Sequence, residues 1–99
     1  MKATPLAYLR PIAGTGQTLA LGAASVPSAA FAVSTEWVQI SSLGNCHVEV
    51  GVAPVATANS MLVKATDDPL VIRVTNGEQI AVIQDGTSTG NLNVVEMTY

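Results

Sequence analysis

The stretch Cys46-His47-Val48-Glu49-Val50-Gly51-Val52 decides the fold class. Its apolar residues fall at every second position. A period of two places Cys46, Val48, Val50 and Val52 on one face of a β-strand, with His47, Glu49 and Gly51 on the other. A helix needs apolar residues three and four apart, and no part of the chain sustains that spacing. The alternation recurs downstream. Leu70, Ile72 and Val74 oppose Val71, Arg73 and Thr75, and Ile80 and Val82 alternate in the same manner as Leu92 and Val94. Between two of these segments stands Asn76-Gly77, the strongest single hairpin signal in the chain, because both residues tolerate positive φ.

Working outward, turn signals recur at Leu43-Gly44-Asn45, Ala53-Pro54, Asp67-Asp68-Pro69 and Asp85–Gly90. A spacing of about 8–12 residues between such signals marks an all-β sandwich or barrel. Strands are expected near residues 17–21, 29–33, 36–42, 46–53, 60–65, 69–75, 78–84 and 91–98. Residues 20–32 are alanine-rich, but Gly22, Pro27 and the serines argue against a helix there. Residues 1–16 contain Pro5, Pro11, Gly14 and Gly16 and read as an extended N-terminal arm ahead of a β-domain spanning 17–99. The expected fold is therefore all-β: a single small antiparallel β-sandwich of about eight short strands behind an arm.

Composition narrows the function classes. Of 99 residues, 48% are apolar and 11% charged, where about 25% charged is typical of soluble domains. So weakly charged a surface suits coverage by partners. Net charge is −3, and the basic residues Lys2, Arg10, Lys64 and Arg73 are scattered. No basic stripe tracks a phosphate backbone, so no direct nucleic-acid partner is expected. No apolar run approaches the roughly 18 residues of a membrane span, and no membrane partner is expected. Ser28-Ala29-Ala30 resembles a leader-cleavage context, but Arg10, Pro11, Gly14, Gly16 and Gln17 interrupt the apolar run a secretory leader requires. With Cys46 as the one cysteine, no intrachain disulfide framework is possible, which fits a reducing compartment.

Residues that carry chemistry elsewhere do not assemble into a site here. His47 and Glu49 share a strand face, yet there is one histidine and no third ligand at a metal-binding spacing. Cys46 adjoins His47 in sequence, but neighbouring strand residues point to opposite faces, and its alternation partners are valines. Asp67-Asp68-Pro69 reads as a turn entering a strand rather than a calcium loop. Gly14-Thr15-Gly16 lacks the lysine and following helix of a phosphate loop. Trp37, the only tryptophan, is core or, in a carbohydrate-binding module, a stacking platform. No catalytic residue, metal or cofactor is expected. Binding is expected instead through the arm, by Leu6, Tyr8, Leu9, Arg10 and Ile12, and through apolar outward positions. Val71, Ala81, Ile83, Val95, Met97 and Tyr99 sit opposite the expected core; of these, Ile83, Val95, Met97 and Tyr99 complete the set of candidate partner contacts.

Six stretches in order resemble small β-proteins encoded among the structural genes of tailed bacteriophages: Tyr8–Pro11, Trp37–Ile40, Cys46–Gly51, Pro54–Thr57, Gly77–Ile83 and Leu92–Met97. The resemblance spans most of residues 8–97. Some members of that group are capsid decoration, or cement, proteins. The resemblance implies a jelly-roll-like sandwich, trimers over local three-folds, and binding to the major capsid protein on the outer shell of the virion after synthesis in the host cytoplasm. It assigns no residue a role. The acidic balance agrees with an outer rather than DNA-facing surface. The alternatives are a tail or head–tail connector component and a carbohydrate-binding module around Trp37; an enzyme is not expected.

Overall fold

The computed structural model describes residues 9–99; the candidate contacts Leu6 and Tyr8 lie outside the described residues. Nine strands follow one another: β1 Arg10–Pro11, β2 Gln17–Ala20, β3 Val26–Pro27, β4 Trp37–Ser42, β5 Cys46–Gly51, β6 Met61–Val63, β7 Leu70–Arg73, β8 Gln79–Gln84 and β9 Asn91–Thr98. All pairings are antiparallel and there is no helix among the described residues.

The strands form two sheets, β1-β9-β4-β7 (with β2 also on β9) and β3-β8-β5-β6. The pairs β2·β9, β3·β8, β4·β7 and β5·β6 nest inside one another in sequence. The chain is thus one long antiparallel ribbon whose two legs meet at the β5–β6 connection. That ribbon rolls up and is stitched by β4·β9 and β5·β8. This is jelly-roll topology, a sandwich of two four-strand sheets with β1 as a short extension. The extension forms because β1 and β2 lie along the same side of β9, interrupted by a turn at Ile12–Thr15. There Ile12 N–H bonds the Glu96 carbonyl at 2.8 Å and the Thr15 hydroxyl accepts from Glu96 N–H at 3.1 Å. Part of the expected arm, Arg10–Pro11, is therefore paired to the domain's own β9.

The core lies between the sheets. Leu19, Val38, Ile40, Leu92 and Val94 face Cys46, Val48, Val63, Ile80 and Val82, with Phe31 and Val74 in the same cluster. Each fully buried aliphatic side chain contributes about 1.5–3 kcal/mol. Glu96 continues the inward row of Leu92 and Val94 and is itself buried. Its carboxylate accepts from the Thr35 hydroxyl and from Ala32 N–H, which ties the β3–β4 connection to β9.

Four expectations are corrected. Asn76-Gly77 does not close a hairpin: β7 pairs with β4, while β8 pairs with β3 and β5 in the other sheet. Gly77 has φ 79° but Asn76 does not have positive φ. Glu78 N–H bonds the Thr75 carbonyl and the Glu78 carboxylate accepts from Thr75 N–H. The twist-matched hairpin turns need positive φ at both central residues or at the first; here only the second, Gly77, has it, and the chain turns a corner between sheets. The strand expected at 29–33 is instead Val26–Pro27, with Phe31 a core residue of the connection. Val52 is 77% exposed rather than core, because β5 ends at Gly51 and Ala53 takes φ 52°. Finally, Ala81 and Met97 are buried although alternation placed them outward. For Ala81 the reason is visible. Loop 52–60 crosses the outer face of its sheet, with Ala56 N–H bonded to the Ser25 hydroxyl at the far edge.

Candidate functional site

Two features stand out: a polar cluster on the outer face of the β3-β8-β5-β6 sheet, and an open groove between the sheets.

The cluster is centred on His47. Alternation turns His47 and Glu49 away from the core, as expected, yet His47 is buried because loop 52–60 covers it. Its Nδ1 lies 2.9 Å from the Ser60 carbonyl and its Nε2 lies 2.9 Å from Asp85 Oδ1. Both partners are acceptors, so satisfying both requires a proton on each nitrogen. The Ser60 carbonyl, and then the Asp85 carboxylate, accordingly raise the basicity of the ring above that of a free histidine. Glu49 joins through the same residue, accepting from the Ser60 hydroxyl at 2.8 Å. Cys46 takes no part. It points into the core, its Sγ lies 3.6 Å from the Ser42 hydroxyl, and burial pushes its thiol pKa up. Both ring nitrogens are thus engaged by protein acceptors. The arrangement clasps the β5–β6 loop and the β8–β9 loop to strand β5.

A pH dependence follows. A raised pKa in the folded state means that the clasp stabilises fully below about pH 6.5, the ordinary histidine value, and is lost as pH rises through the raised value. The melting temperature is expected to fall on alkalinisation from pH 6 across that window. Asp85→Asn should reduce the dependence, leaving the part that the Ser60 carbonyl causes, and cost about 1 kcal/mol at pH 6, Asp85 being half-exposed. Melts of both proteins across this pH range, read by circular dichroism, check the slope and its sign. A wild-type melt that rises with pH would contradict the assignment.

The groove has a volume of about 500 Å³ and opens where β6 stops short. β6 pairs with β5 only as far as Val48↔Met61, so β5 beyond Val48 has no neighbour on that side among the described residues. The edge of the opposite sheet there is β7, which pairs only with β4 among the described residues. The walls are the inward side chains Val48 and Val50 of β5, Met61 of β6, and Leu70 and Ile72 of β7, with Glu49, Asn59 and Ser60 at the rim. Leu70 and Met61 face the sandwich interior yet are 41% and 47% exposed.

The expected partner contacts do not form one patch. Arg10, Met97 and Tyr99 meet at one corner of the β1-β9-β4-β7 sheet, where Arg10 Nε donates to the Tyr99 carbonyl at 3.2 Å. Tyr99, 63% exposed, packs against half-buried Trp37 with centroids 5.1 Å apart and ring planes at 75°. Met97 is too buried to offer a surface; Leu9, Ile12 and Val95 are half-buried, and half-buried Ile83 lies on the other sheet. The chain signal for the groove was present in Met61 and Leu70, apolar residues on short strands next to turns, but only pairing shows that no strand among the described residues covers them. Asp85 and Ser60 carried no signal that they meet His47. Compared with models of known protein families, with curated proteins and with solved structures, the chain has no match in any of the three.

Proposed function

We propose that this domain is a structural, non-enzymatic protein-binding module that decorates a bacteriophage capsid, seated on the outer surface of the major capsid protein and stabilising the shell. The observation that carries the binding part is the distribution of exposed apolar side chains. Val33, Leu43, Val52 and Val55, all in connections between strands, are each at least 67% exposed. A domain with 11% charged residues and apolar loops offers little to keep it dispersed and much for a partner to cover. The jelly-roll sandwich agrees with the fold that the phage-protein resemblance implies, and the virion setting rests on that resemblance.

The test is reconstitution. Purified protein is added to particles that lack it, and bound copies are counted by quantitative mass spectrometry. Saturable binding in hundreds of copies, with shells that resist higher temperature, is the expected result. A handful of copies per particle would identify a tail or connector component, and no binding would reject the virion reading. Val52→Asp/Val55→Asp is expected to weaken attachment at least tenfold without lowering the melting temperature, because both side chains already lie in solvent.

A further inference from the structure

We infer that the groove between β5–β6 and β7 is an acceptor for an extended strand, and that its occupant is residues 2–8 of a second copy of the chain. The geometry is that of strand addition. Two sheet edges, β7 and β5 beyond Val48, have no strand partner on the open side among the described residues and border one apolar cleft. An added strand satisfies the edge N–H and C=O groups, while alternate side chains enter the cleft. Inward-facing Met61 and Leu70 are the side chains such a strand would cover, and Ile72 and Val50, both half-buried, lie beneath them.

Two features of the chain select the occupant. Charge is divided: residues 1–35 hold Lys2 and Arg10 and no carboxylate, whereas residues 36–99 hold all seven carboxylates against two cations. The groove carries Glu49, exposed, at its rim. The segment Pro5-Leu6-Ala7-Tyr8 places Leu6 and Tyr8 on one face of an extended strand, with Lys2 beyond them to meet an acidic rim. Position then selects a second copy over the chain's own terminus. β1 and β7 lie at opposite lateral edges of one sheet, three strand spacings apart, which is about 14 Å. Crossing that distance takes about four residues at about 3.3 Å each. The four nearest to Leu9 include both Leu6 and Tyr8, which would be spent before the groove is reached. In a neighbour's groove both remain available. Donor arm and acceptor groove are different surfaces, so a closed oligomer is the arrangement that fills every groove and uses every arm.

The inference does not depend on the capsid reading and is tested on the isolated protein, so its failure would leave particle binding to be judged by reconstitution. Tagged chains carrying Leu6→Cys are co-expressed with untagged chains carrying Leu70→Cys and oxidised; buried Cys46 is left in place. The expected product is a disulfide between tagged and untagged chains. Native mass spectrometry should show a closed oligomer for the full chain, and monomers that still melt cooperatively for the chain lacking residues 2–8. Leu70→Lys, at a position that already reaches solvent, should also give monomers by repelling the cationic arm. A full-length chain that is monomeric at its highest soluble concentration overturns the inference. So does an oligomer that survives deletion of residues 2–8. A chain carrying both cysteines that links only to itself shows its own arm in the groove, and likewise overturns it.

Discussion

Val48→Asp is expected to abolish the cooperative thermal transition of the domain, and Val52→Asp to leave its stability within about 0.5 kcal/mol of the parent. Both valines belong to the same alternating row in the sequence, and in a continuous strand both would face the core. The structure separates them: Val48 is 2% exposed, flanked by Val82 and Met61 in its sheet, whereas Val52 is 77% exposed past the end of β5. A carboxylate at position 48 replaces a buried side chain of the apolar cluster between the sheets. An unpaired buried polar group costs several kcal/mol, and a whole domain is stable by only about 5–15. Circular dichroism melts of the two variants are decisive. If Val52→Asp proved the more damaging, β5 would have to run on through Ala53 and the loop over the outer face would be misplaced.

The second large effect is expected at Gly44. A Cβ at this position would stand 2.1 Å from the Thr89 carbonyl oxygen and 2.9 Å from Leu21 Cδ1. The leucine can rotate, but the carbonyl cannot withdraw alone. The two loops are held together by Leu43 N–H on the Asn91 carbonyl and Asp85 N–H on the Asn45 carbonyl, both 3.0 Å. Gly44→Ala should therefore cost about 3 kcal/mol, at the upper end for overpacking, which lowers the melting temperature of a domain this size by roughly 12–24 °C. Gly51→Ala is the control. Nothing lies within 4 Å of its Cβ and its φ is not positive, so it should be neutral or slightly stabilising through the unfolded state. Equal melting temperatures for the two variants would show that the β4–β5 and β8–β9 corners are not in contact.

How much of this was legible follows from the range of each interaction. Strand character at β4, β5, β8 and β9 was legible because alternation is local: adjacent side chains must point to opposite faces whatever the partner strand. The divergence of Cys46 and His47 followed for the same reason. The polar cluster was half legible. His47 and Glu49 were recognisable as neighbours on one face, but Ser60 and Asp85 reach them only because loop 52–60 folds back and β8 ends beside β5.

By itself, then, the sequence determined that the chain is all-β, where most strands lie, that β5 presents Val48 inward and Glu49 outward, and that charge is sparse and the N-terminal third is free of carboxylates. The tertiary structure alone decided which strands pair. β2 with β9 and β3 with β8 join residues more than fifty positions apart, and no local pattern encodes a hydrogen-bond partner at that distance. It decided that Asn76-Gly77 joins two sheets, since β7 finds its partner in β4 while β8 finds its partners in β3 and β5. And it decided that β6 begins only at Met61 while β7 has no neighbour beyond β4 among the described residues, leaving apolar walls open between them: a groove is a property of what two sheets fail to fill, and no single strand records it.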